Sequence, residues 1–154
     1  MQIELLNRYV NQHLIINQLQ LSITNTGMID SGINVNTKFD GSVDRDGSIL
    51  EYCRLKDITI QAWSPFQYGF FEGVFLNNDK FPELNGKINK MAELKGVPNS
   101  AIVIAWILRH PAKIQPIVGT TNYKRLKDIC KASQITLTRQ EWYDIYKSAG
   151  NKLP

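Results

Sequence analysis

Three short β-rich segments alternate with helical segments, and this alternation constrains the fold more than any other feature of the sequence. The segments are residues 14–21, 58–63 and 114–118, and no hairpin turn joins any two of them. Strands that alternate with helices predict a parallel sheet. A complete eight-stranded βα barrel needs about 250 residues. The 154 residues of this chain therefore predict an α/β fold with about three βα units.

Six helices are expected from apolar periodicity, caps and breakers: residues 2–10, 48–56, 82–95, 100–110, 122–132 and 138–148. Asn99 or Ser100 is expected to cap the fourth helix. Thr138 and Glu141 have the spacing of a capping box for the last one. The stretch 101–108 is apolar on every face, so we expect the fourth helix to be buried on most sides. Further candidates for buried positions are Ile3, Leu5, Leu6 and Tyr9 of the first helix and Ile49, Tyr52, Cys53 and Leu55 of the second.

Two connections are unusual in length or composition. Residues 24–48 form a stretch of about 25 residues rich in Gly, Asn, Asp, Ser and Thr, longer than an ordinary connection. It is either functional or partly ordered by its own turns. Residues 66–76 read FQYGFFEGVFL and are dense in aromatics. These aromatic side chains either form an apolar wall over a ligand or pack beneath a long loop.

The composition fits one domain, residues 1–154, with 43% hydrophobic residues to build a core. The net charge of +4 comes from scattered lysines and arginines, which does not indicate a nucleic-acid interface. Cys53 and Cys130 are far apart and have no CxxC or His partner. We expect two reduced thiols and no metal site.

The chain is expected to be cytoplasmic and to have no membrane partner. Its start, MQIELLNRYV, lacks the basic region and apolar stretch of a signal peptide. The longest apolar run, Ala101 to Leu108, is too short to span a bilayer.

The end of the third predicted strand has the features of an anion site. Ligands bind at the carboxyl ends of strands in α/β folds. Gly119 is expected to let the chain turn closely, and residues 120–122, Thr-Thr-Asn, bring hydroxyls, an amide and free backbone N–H groups to a helix start. Lys124 and Arg125 are unfavourable at this positive helix pole, unless a bound phosphate lies between them and the helix. The alternative is a simple Asn or Thr cap followed by surface charges.

Four motifs together resemble one family. NQLQLS (17–22), ITIQAWSPF (58–66), SAIVIAWILRHP (100–111) and PIVGTTNYKRLKD (116–128) are similar to the last three βα units of an aldo-keto reductase, over nearly the whole chain. The resemblance is strongest to the bacterial oxidoreductases of that family. It implies a partial TIM barrel, the last three βα units of a (β/α)8 fold plus the C-terminal helix. It also implies an NADPH-dependent oxidoreductase that reduces aldehydes or ketones by hydride transfer.

The resemblance also implies a set of cofactor-binding positions. Gln18 matches the glutamine that bonds the nicotinamide carboxamide, and residues 64–66 match the stretch along the pyrophosphate and nicotinamide. Residues 119–122 match the loop that holds the 2′-phosphate of NADPH, and Arg125 matches the arginine that clamps it. The implied NADP site is therefore Gln18, Ser64, Pro65, Phe66, Gly119, Thr120, Thr121, Asn122 and Arg125. Where the family commonly has an acid and an asparagine for the adenine amine, this chain has Asp128 and Ile129. Trp63 stands where the family often has an aromatic residue, and a core role fits it equally.

The resemblance assigns no catalytic residue to this chain. The family's aspartate, tyrosine, lysine and histidine tetrad comes from early strands that have no counterpart among these residues. His13 is expected on the surface, and His110 as a charge at a helix C-terminus. Tyr68 lies in the aromatic stretch and could approach a substrate, but no neighbour in the sequence would activate it.

Two hypotheses follow. In the first, the chain is the C-terminal portion of an NADPH-dependent carbonyl reductase, inactive alone and active on a small carbonyl substrate when an N-terminal half supplies the missing strands. In the second, it is a catalytically silent nucleotide-binding or self-associating module. Both expect association, because a three-stranded piece leaves two open edges. The side chains expected to have lost partners across the barrel are Ile15, Asn17, Leu19, Ile58, Ile60, Ala62, Ile114 and Ile117.

Overall fold

The computed structural model describes residues 2–43, 48–69 and 72–154. The helices are α1 (Gln2–Leu6), α2 (Gly27–Ile33), α3 (Ile49–Leu55), α4 (Pro82–Lys95), α5 (Asn99–Leu108), α6 (Tyr123–Cys130) and α7 (Arg139–Ser148). The strands are β1 (Ile16–Gln20), β2 (Thr59–Trp63), β3 (Gln67–Tyr68), β4 (Gly73–Val74) and β5 (Gln115–Pro116). Short 3-10 helices lie at Asp40–Ser42 and Lys131–Gln134.

A parallel sheet with the order β1-β2-β5 forms the centre of the fold. Gln18 on β1 lies opposite Gln61 on β2, and Gln61 lies opposite Gln115 on β5. The pairing with β5 continues one residue further, where the Ile117 N–H donates to the Ala62 carbonyl at 2.8 Å. The predicted α/β fold with a parallel sheet is confirmed.

The aromatic stretch adds a hairpin that the sequence did not indicate. Strands β3 and β4 pair antiparallel within it. The turn between them starts at Gly69, whose φ of 59° is in the left-handed region that glycine adopts at no steric cost. The three predicted strands are not joined by hairpins, and the sequence predicted no strand in this loop. Phe70 and Phe71, two of its predicted aromatics, lie outside the described residues.

The sheet has one face covered by helices and one open face, which carries Gln18, Gln61 and Gln115. Ile58, Ile60, Ala62 and Ile114 belong to the buried core, so the prediction that they had lost their partners is wrong. The strand period of two puts these apolar residues together on one side, and the helices cover that side. Among the other residues of that prediction, Ile15 is exposed while Asn17, Leu19 and Ile117 are half-buried.

Helix α5 is the centre of the core, as its apolar sequence predicted. Its residues from Ala101 to Ile107 are all buried. The Trp106 ring stacks on the Trp142 ring of α7 with centroids 4.6 Å apart. Each indole N–H donates to the other residue's carbonyl, at 3.1 Å and 2.9 Å. The predicted side-chain cap of this helix is absent, because the Asn99 side chain bonds Asn77 and Asn89 instead.

The N-terminal helix is shorter and more exposed than its periodicity predicted. Leu5, Leu6 and Tyr9 are exposed and Ile3 is half-buried, so the expected buried stripe is wrong. Five residues give α1 too little length to bury a face; it is held to α3 by polar contacts of Glu4. The Glu4 carboxylate accepts from the Tyr52 hydroxyl at 2.7 Å and pairs with Lys56 at 3.0 Å.

Helix α3 confirms its predicted position but not its complete inward face. Cys53 is buried, and Ile49 and Tyr52 are half-buried, but Leu55 is exposed. Leu50, which the sequence had not singled out, is buried in its place. Successive residues of a helix point about 100° apart around its axis. The buried side of this seven-residue helix therefore includes Leu50 and excludes Leu55.

The long polar connection contains a helix rather than turns alone. Helix α2 is fixed to α7 through Asp30, whose carboxylate accepts from the Tyr146 hydroxyl at 2.7 Å and from the Thr26 hydroxyl at 3.1 Å. Burial and the bond to Asp30 raise the pKa of Tyr146, so its hydroxyl remains a donor. Residues 44–47 of the connection lie outside the described residues.

Helix α7 begins as predicted. The Thr138 hydroxyl accepts from the Glu141 N–H at 3.2 Å, and the Glu141 carboxylate accepts from the Thr138 N–H at 2.7 Å. The capping box is therefore confirmed.

Within the described ranges, no single helix is both long and apolar enough to cross a membrane. By length and composition alone, α4 and α5 pass that test as a pair bent by 95°.

Candidate functional site

A cleft of about 850 Å³ lies at the carboxyl ends of β2 and β5. This volume is within the range of small-molecule and cofactor sites. One side is the segment after β2, and the other is the segment after β5 with the first turns of α6. The lining residues are 63–67, 98–100 and 117–120 with Val74, Leu76, Asn77, Asn122, Lys124, Arg125, Asp128 and Ile129.

The cleft brings together seven of the nine positions singled out from the sequence: Ser64, Pro65, Phe66, Gly119, Thr120, Asn122 and Arg125. Two lie elsewhere. Gln18 is on the open face of the sheet, where its amide nitrogen donates to the Gln61 side-chain oxygen at 2.8 Å. Thr121 is exposed and is not part of the lining.

The wall after β2 is a tight turn tied to the end of β1. Ser64 has a φ of 53°, and its carbonyl accepts from the Gln67 N–H at 3.0 Å. The Gln67 carbonyl in turn accepts from the Ser22 hydroxyl at 2.7 Å. Pro65 is buried, and the Phe66 carbonyl accepts from the Phe75 N–H at 3.0 Å. These bonds fix the backbone on which this wall is built.

The loop after β5 is a true helix cap, which changes how an anion could be held there. Asn122 accepts from the N–H groups of Lys124 and Arg125 at 3.0 Å and 3.2 Å. Its own N–H donates to the Thr120 hydroxyl at 3.2 Å. The expectation of free backbone N–H groups is therefore wrong for Asn122, and the N–H groups of Lys124 and Arg125 are engaged as well. The side chains of Lys124 and Arg125 are the cationic groups that line this end of the cleft.

Gly119 does not have the role that the sequence suggested. Its φ is not positive, so the turn does not depend on glycine. A Cβ built at this position meets no atom within 4 Å. The prediction of a close turn is wrong, and the missing side chain leaves open space beside the cleft instead.

The charges at this end of the cleft are unbalanced. Lys124 and Arg125 line it and belong to none of the five ion pairs found among the described residues. Asp128 also lines the cleft, but its carboxylate pairs with Lys131 at 2.9 Å. The first turn of α6 thus presents two cations whose charge no ion pair in the described chain offsets.

The loop that brings Leu76 and Asn77 to the cleft, which forms its third wall, depends on a buried asparagine that sequence reasoning missed. Asn85 of α4 is 8% exposed. Its amide nitrogen donates to the carbonyls of Phe75 and Phe81, both at 2.9 Å, and of Asn78 at 3.2 Å. Its oxygen accepts from the Asn77 N–H at 2.7 Å. A polar residue beside Leu84 on the apolar face of a helix was the signal that could have identified it.

The aromatic side chains divide between the two roles left open by the sequence. Phe75 is fully buried and packs edge to face on Phe81, with centroids 6.4 Å apart, which is the packing role. Phe66 lines the cleft. Tyr68 packs against Phe81 at 4.9 Å, and its hydroxyl accepts from the Lys80 ammonium at 3.2 Å. The sequence did not indicate this cation, which lies twelve positions away.

Neither histidine belongs to the cleft. His13 is exposed, as expected. His110 is half-buried, and its Nδ1 accepts from the Ala112 N–H at 3.2 Å. Burial, with a smaller contribution from Arg54, lowers the pKa of His110. The predicted charge at the helix C-terminus is therefore wrong, since the ring accepts a bond that only its neutral form can accept.

A model of the Aldo/keto reductase family matches residues 35–149. The chain belongs to the aldo/keto reductase family. A 6-dehydroglucose reductase of Agrobacterium fabrum is 30% identical to this aldo/keto reductase chain over 149 residues, which are 96% of the chain and 43% of that protein. The chain thus spans less than half the length of this relative.

Solved aldo-keto reductases share the fold of this aldo/keto reductase chain. An aldose reductase from Giardia lamblia superimposes with a TM-score of 0.66 at 15% identity, over 99% of this chain and 42% of that one. A Bombyx mori aldo-keto reductase in complex with NADP gives 0.61 at 20% identity, over 96% of this chain and 41% of that one. The fold is therefore part of a TIM barrel, and the partial coverage fits the predicted C-terminal portion.

Proposed function

We propose that this chain is the NADP(H)-binding portion of an aldo/keto reductase that reduces small carbonyl compounds. The observation that carries the proposal is the position of Lys124 and Arg125, two cations without ion-pair partners in the described chain, at one end of the cleft. A 2′-phosphate at that end would offset both charges. Bound NADPH would supply the hydride, and the residues of this chain would bind and orient the dinucleotide.

The residues of the cleft fit a dinucleotide. The volume of about 850 Å³ suits a cofactor. Arg125, Lys124 and the Thr120 hydroxyl offer donors to a phosphate at one end. The Gln67 side-chain oxygen is buried near the turn after β2, and no donor among the described residues bonds it, so we propose that it accepts a bond from the ligand. Hydrogen-bond donors and an acceptor thus lie in the cleft where we propose that the cofactor binds.

Gln18 is proposed to act from the open face rather than from the cleft wall. Its nitrogen is engaged by Gln61, and Gln61 donates to Gln115 at 2.9 Å. These hydrogen bonds between Gln18, Gln61 and Gln115 fix the Gln18 amide on the sheet surface. We propose that Gln18 orients the nicotinamide carboxamide, as the resemblance implies.

The chemistry is proposed to need strands beyond those described here. The tetrad that donates the proton in this family has no assigned position in this chain, and one face of the sheet is open. We propose that further barrel strands, from an N-terminal half or a second copy, cover that face. We also propose a cytoplasmic location, which the two free cysteines, Cys53 and Cys130, support.

Titration with NADPH and NADH, followed by cofactor fluorescence, tests the proposal. The chain is expected to bind NADPH more tightly than NADH, both alone and with a candidate N-terminal half. NADPH oxidation with a generic aldehyde is expected only in the mixture. Turnover by the chain alone would contradict the proposal that catalysis needs further strands. If neither cofactor binds to the mixture, the NADP(H) site is refuted.

A catalytically silent, self-associating module is the second candidate. The observation in its favour is the apolar surface at the edge strand β1, where Ile16 is 48% exposed and Ile15, just before the strand, is 64% exposed. NADPH binding without turnover in every mixture, together with a stable dimer, would favour this candidate over the reductase.

A further inference from the structure

Gln67 has a buried polar atom that the protein itself leaves unpaired. It is the first residue of β3 and lines the cleft. No hydrogen-bond donor in the described chain reaches its side-chain oxygen. Among the described residues, only the Asn34 side-chain oxygen shares this condition, and Asn34 does not line the cleft. A buried acceptor without a donor is uncommon and calls for an explanation.

The backbone of Gln67 makes three hydrogen bonds, so the loop cannot easily move to satisfy the side chain. Its N–H donates to the Ser64 carbonyl at 3.0 Å. Its carbonyl accepts from the hydroxyls of Ser22 at 2.7 Å and Thr24 at 3.3 Å. The residue also pairs with Val74 across the hairpin. The fold thus fixes the residue at the cleft wall and leaves its amide oxygen for something else to satisfy.

We propose that Gln67 is a binding residue for the dinucleotide, and this inference rests on the proposed function. Its side-chain oxygen accepts a hydrogen bond from a donor group of bound NADP(H). Phosphates have no donor at neutral pH, so the partner is a ribose hydroxyl, the nicotinamide carboxamide or the adenine amine. Gln67 therefore contributes orientation, while Arg125 contributes charge.

The variant Gln67→Met tests the inference, because methionine keeps the length of the side chain and removes the acceptor. An unpaired buried acceptor costs free energy in the free chain. We therefore expect the thermal midpoint of the ligand-free variant to be unchanged or raised. NADPH should bind about 3- to 10-fold more weakly, the loss of one neutral hydrogen bond. Gln134→Met, at an exposed glutamine, is the matched control and should change neither quantity.

A second ligand locates the donor. Adenosine 2′,5′-bisphosphate carries only the adenosine half of NADPH. If Gln67→Met weakens the binding of both ligands, the donor belongs to the adenosine half. If it weakens the binding of NADPH alone, the donor belongs to the nicotinamide half. Either result supports the inference.

Two outcomes overturn the inference while the proposed function stands. One is equal NADPH affinity in the variant and the unaltered chain. The other is a lowered thermal midpoint of the ligand-free variant, which means that the oxygen is already satisfied in the free chain. If the unaltered chain itself fails to bind NADPH, the proposed function fails, and this inference fails with it.

Discussion

Arg125 shows how one residue can be unfavourable in the free chain and favourable in a complex. It lies in the first turn of α6, where the helix dipole is positive. Asn122 already accepts from the N–H groups of Lys124 and Arg125, so these two groups add nothing to anion binding. The guanidinium itself, which lines the cleft, is left as the principal group for the proposed phosphate.

Replacing Arg125 by alanine is expected to weaken NADPH binding by about 1.5–3 kcal/mol, because a charge-assisted hydrogen bond is lost. NADH lacks the 2′-phosphate, so its affinity should change much less. Both constants are measured by fluorescence titration. Lys127→Ala removes the same charge from α6 at a residue outside the cleft lining, and it serves as the control. Equal losses for the two cofactors would eliminate the 2′-phosphate role.

His110 is a second case in which the environment decides the charge. Burial lowers its pKa, so below about pH 6.5, the ordinary value, the unfolded chain binds more protons than the folded one. Its contribution to stability is therefore complete above that pH and is lost as the pH falls.

We expect the urea midpoint of the unaltered chain to fall between pH 7.5 and pH 5.5, and to fall less in His110→Gln. His13 is exposed, so His13→Gln should behave like the unaltered chain. A steeper fall in His110→Gln than in the unaltered chain would mean that the ring is stabilised in its charged form.

At the scale of elements, one buried side chain makes four hydrogen bonds to the loop between β4 and α4. The Asn85 amide nitrogen donates to three backbone carbonyls of residues 75–81, and its oxygen accepts from one backbone N–H there. Leu76 and Asn77 of that loop line the cleft. Asn99, at the start of α5, donates to the side-chain oxygens of both Asn77 and Asn89 at 3.0 Å. The wall thus derives its shape from amide groups rather than from apolar packing alone.

Truncation by Asn85→Ala is expected to cost about 2–4 kcal/mol of unfolding free energy, because it leaves buried backbone groups without partners. NADPH affinity should fall as well, since the wall loses its support. Urea unfolding and fluorescence titration measure the two effects. Asn89→Ala, at an exposed position, should cost less than about 1 kcal/mol. Similar losses in both variants would argue against a special role for Asn85.

Local signals made some elements predictable. The Thr138–Glu141 capping box and the apolar stretch 101–108 of α5 are encoded within two or three turns of chain. The capping box and the burial of Ala101–Ile107 are both confirmed. The Asn85 bonds and the Tyr68–Lys80 contact join residues up to twelve positions apart, and no local pattern encodes them. The hairpin was not predicted because its strands have two residues each, which is too short to show an alternation of apolar and polar residues.

At the scale of the whole molecule, the motifs predicted the family and the partial barrel but assigned the wrong face of the sheet to the interior. Period-two alternation separates two faces without saying which one the helices cover. The cleft is also a property of the assembled chain. Seven predicted residues meet there, yet Gln18 and Thr121 do not, because the position of a side chain depends on strand register and loop path.

Ile16→Lys tests whether the exposed edge drives self-association. A lysine on an edge strand opposes pairing with another strand. If a second copy covers this edge, light scattering should show the unaltered chain above monomer mass and the variant shifted toward the monomer. Leu94→Lys, at a 73% exposed leucine of α4, is the control and should not shift. Monomer mass for the unaltered chain at every concentration would rule out self-association.

The three glutamines across the sheet have a direction. Gln18 donates to Gln61 and Gln61 donates to Gln115, so the series ends in an amide oxygen at the β1 margin and an amide nitrogen at the β5 margin. A newcomer strand beside β1 must present a donor at that level, and one beside β5 must present an acceptor. Sliding either by one residue would turn the matching group to the opposite side. The three amides therefore favour one register for any strand that completes the barrel.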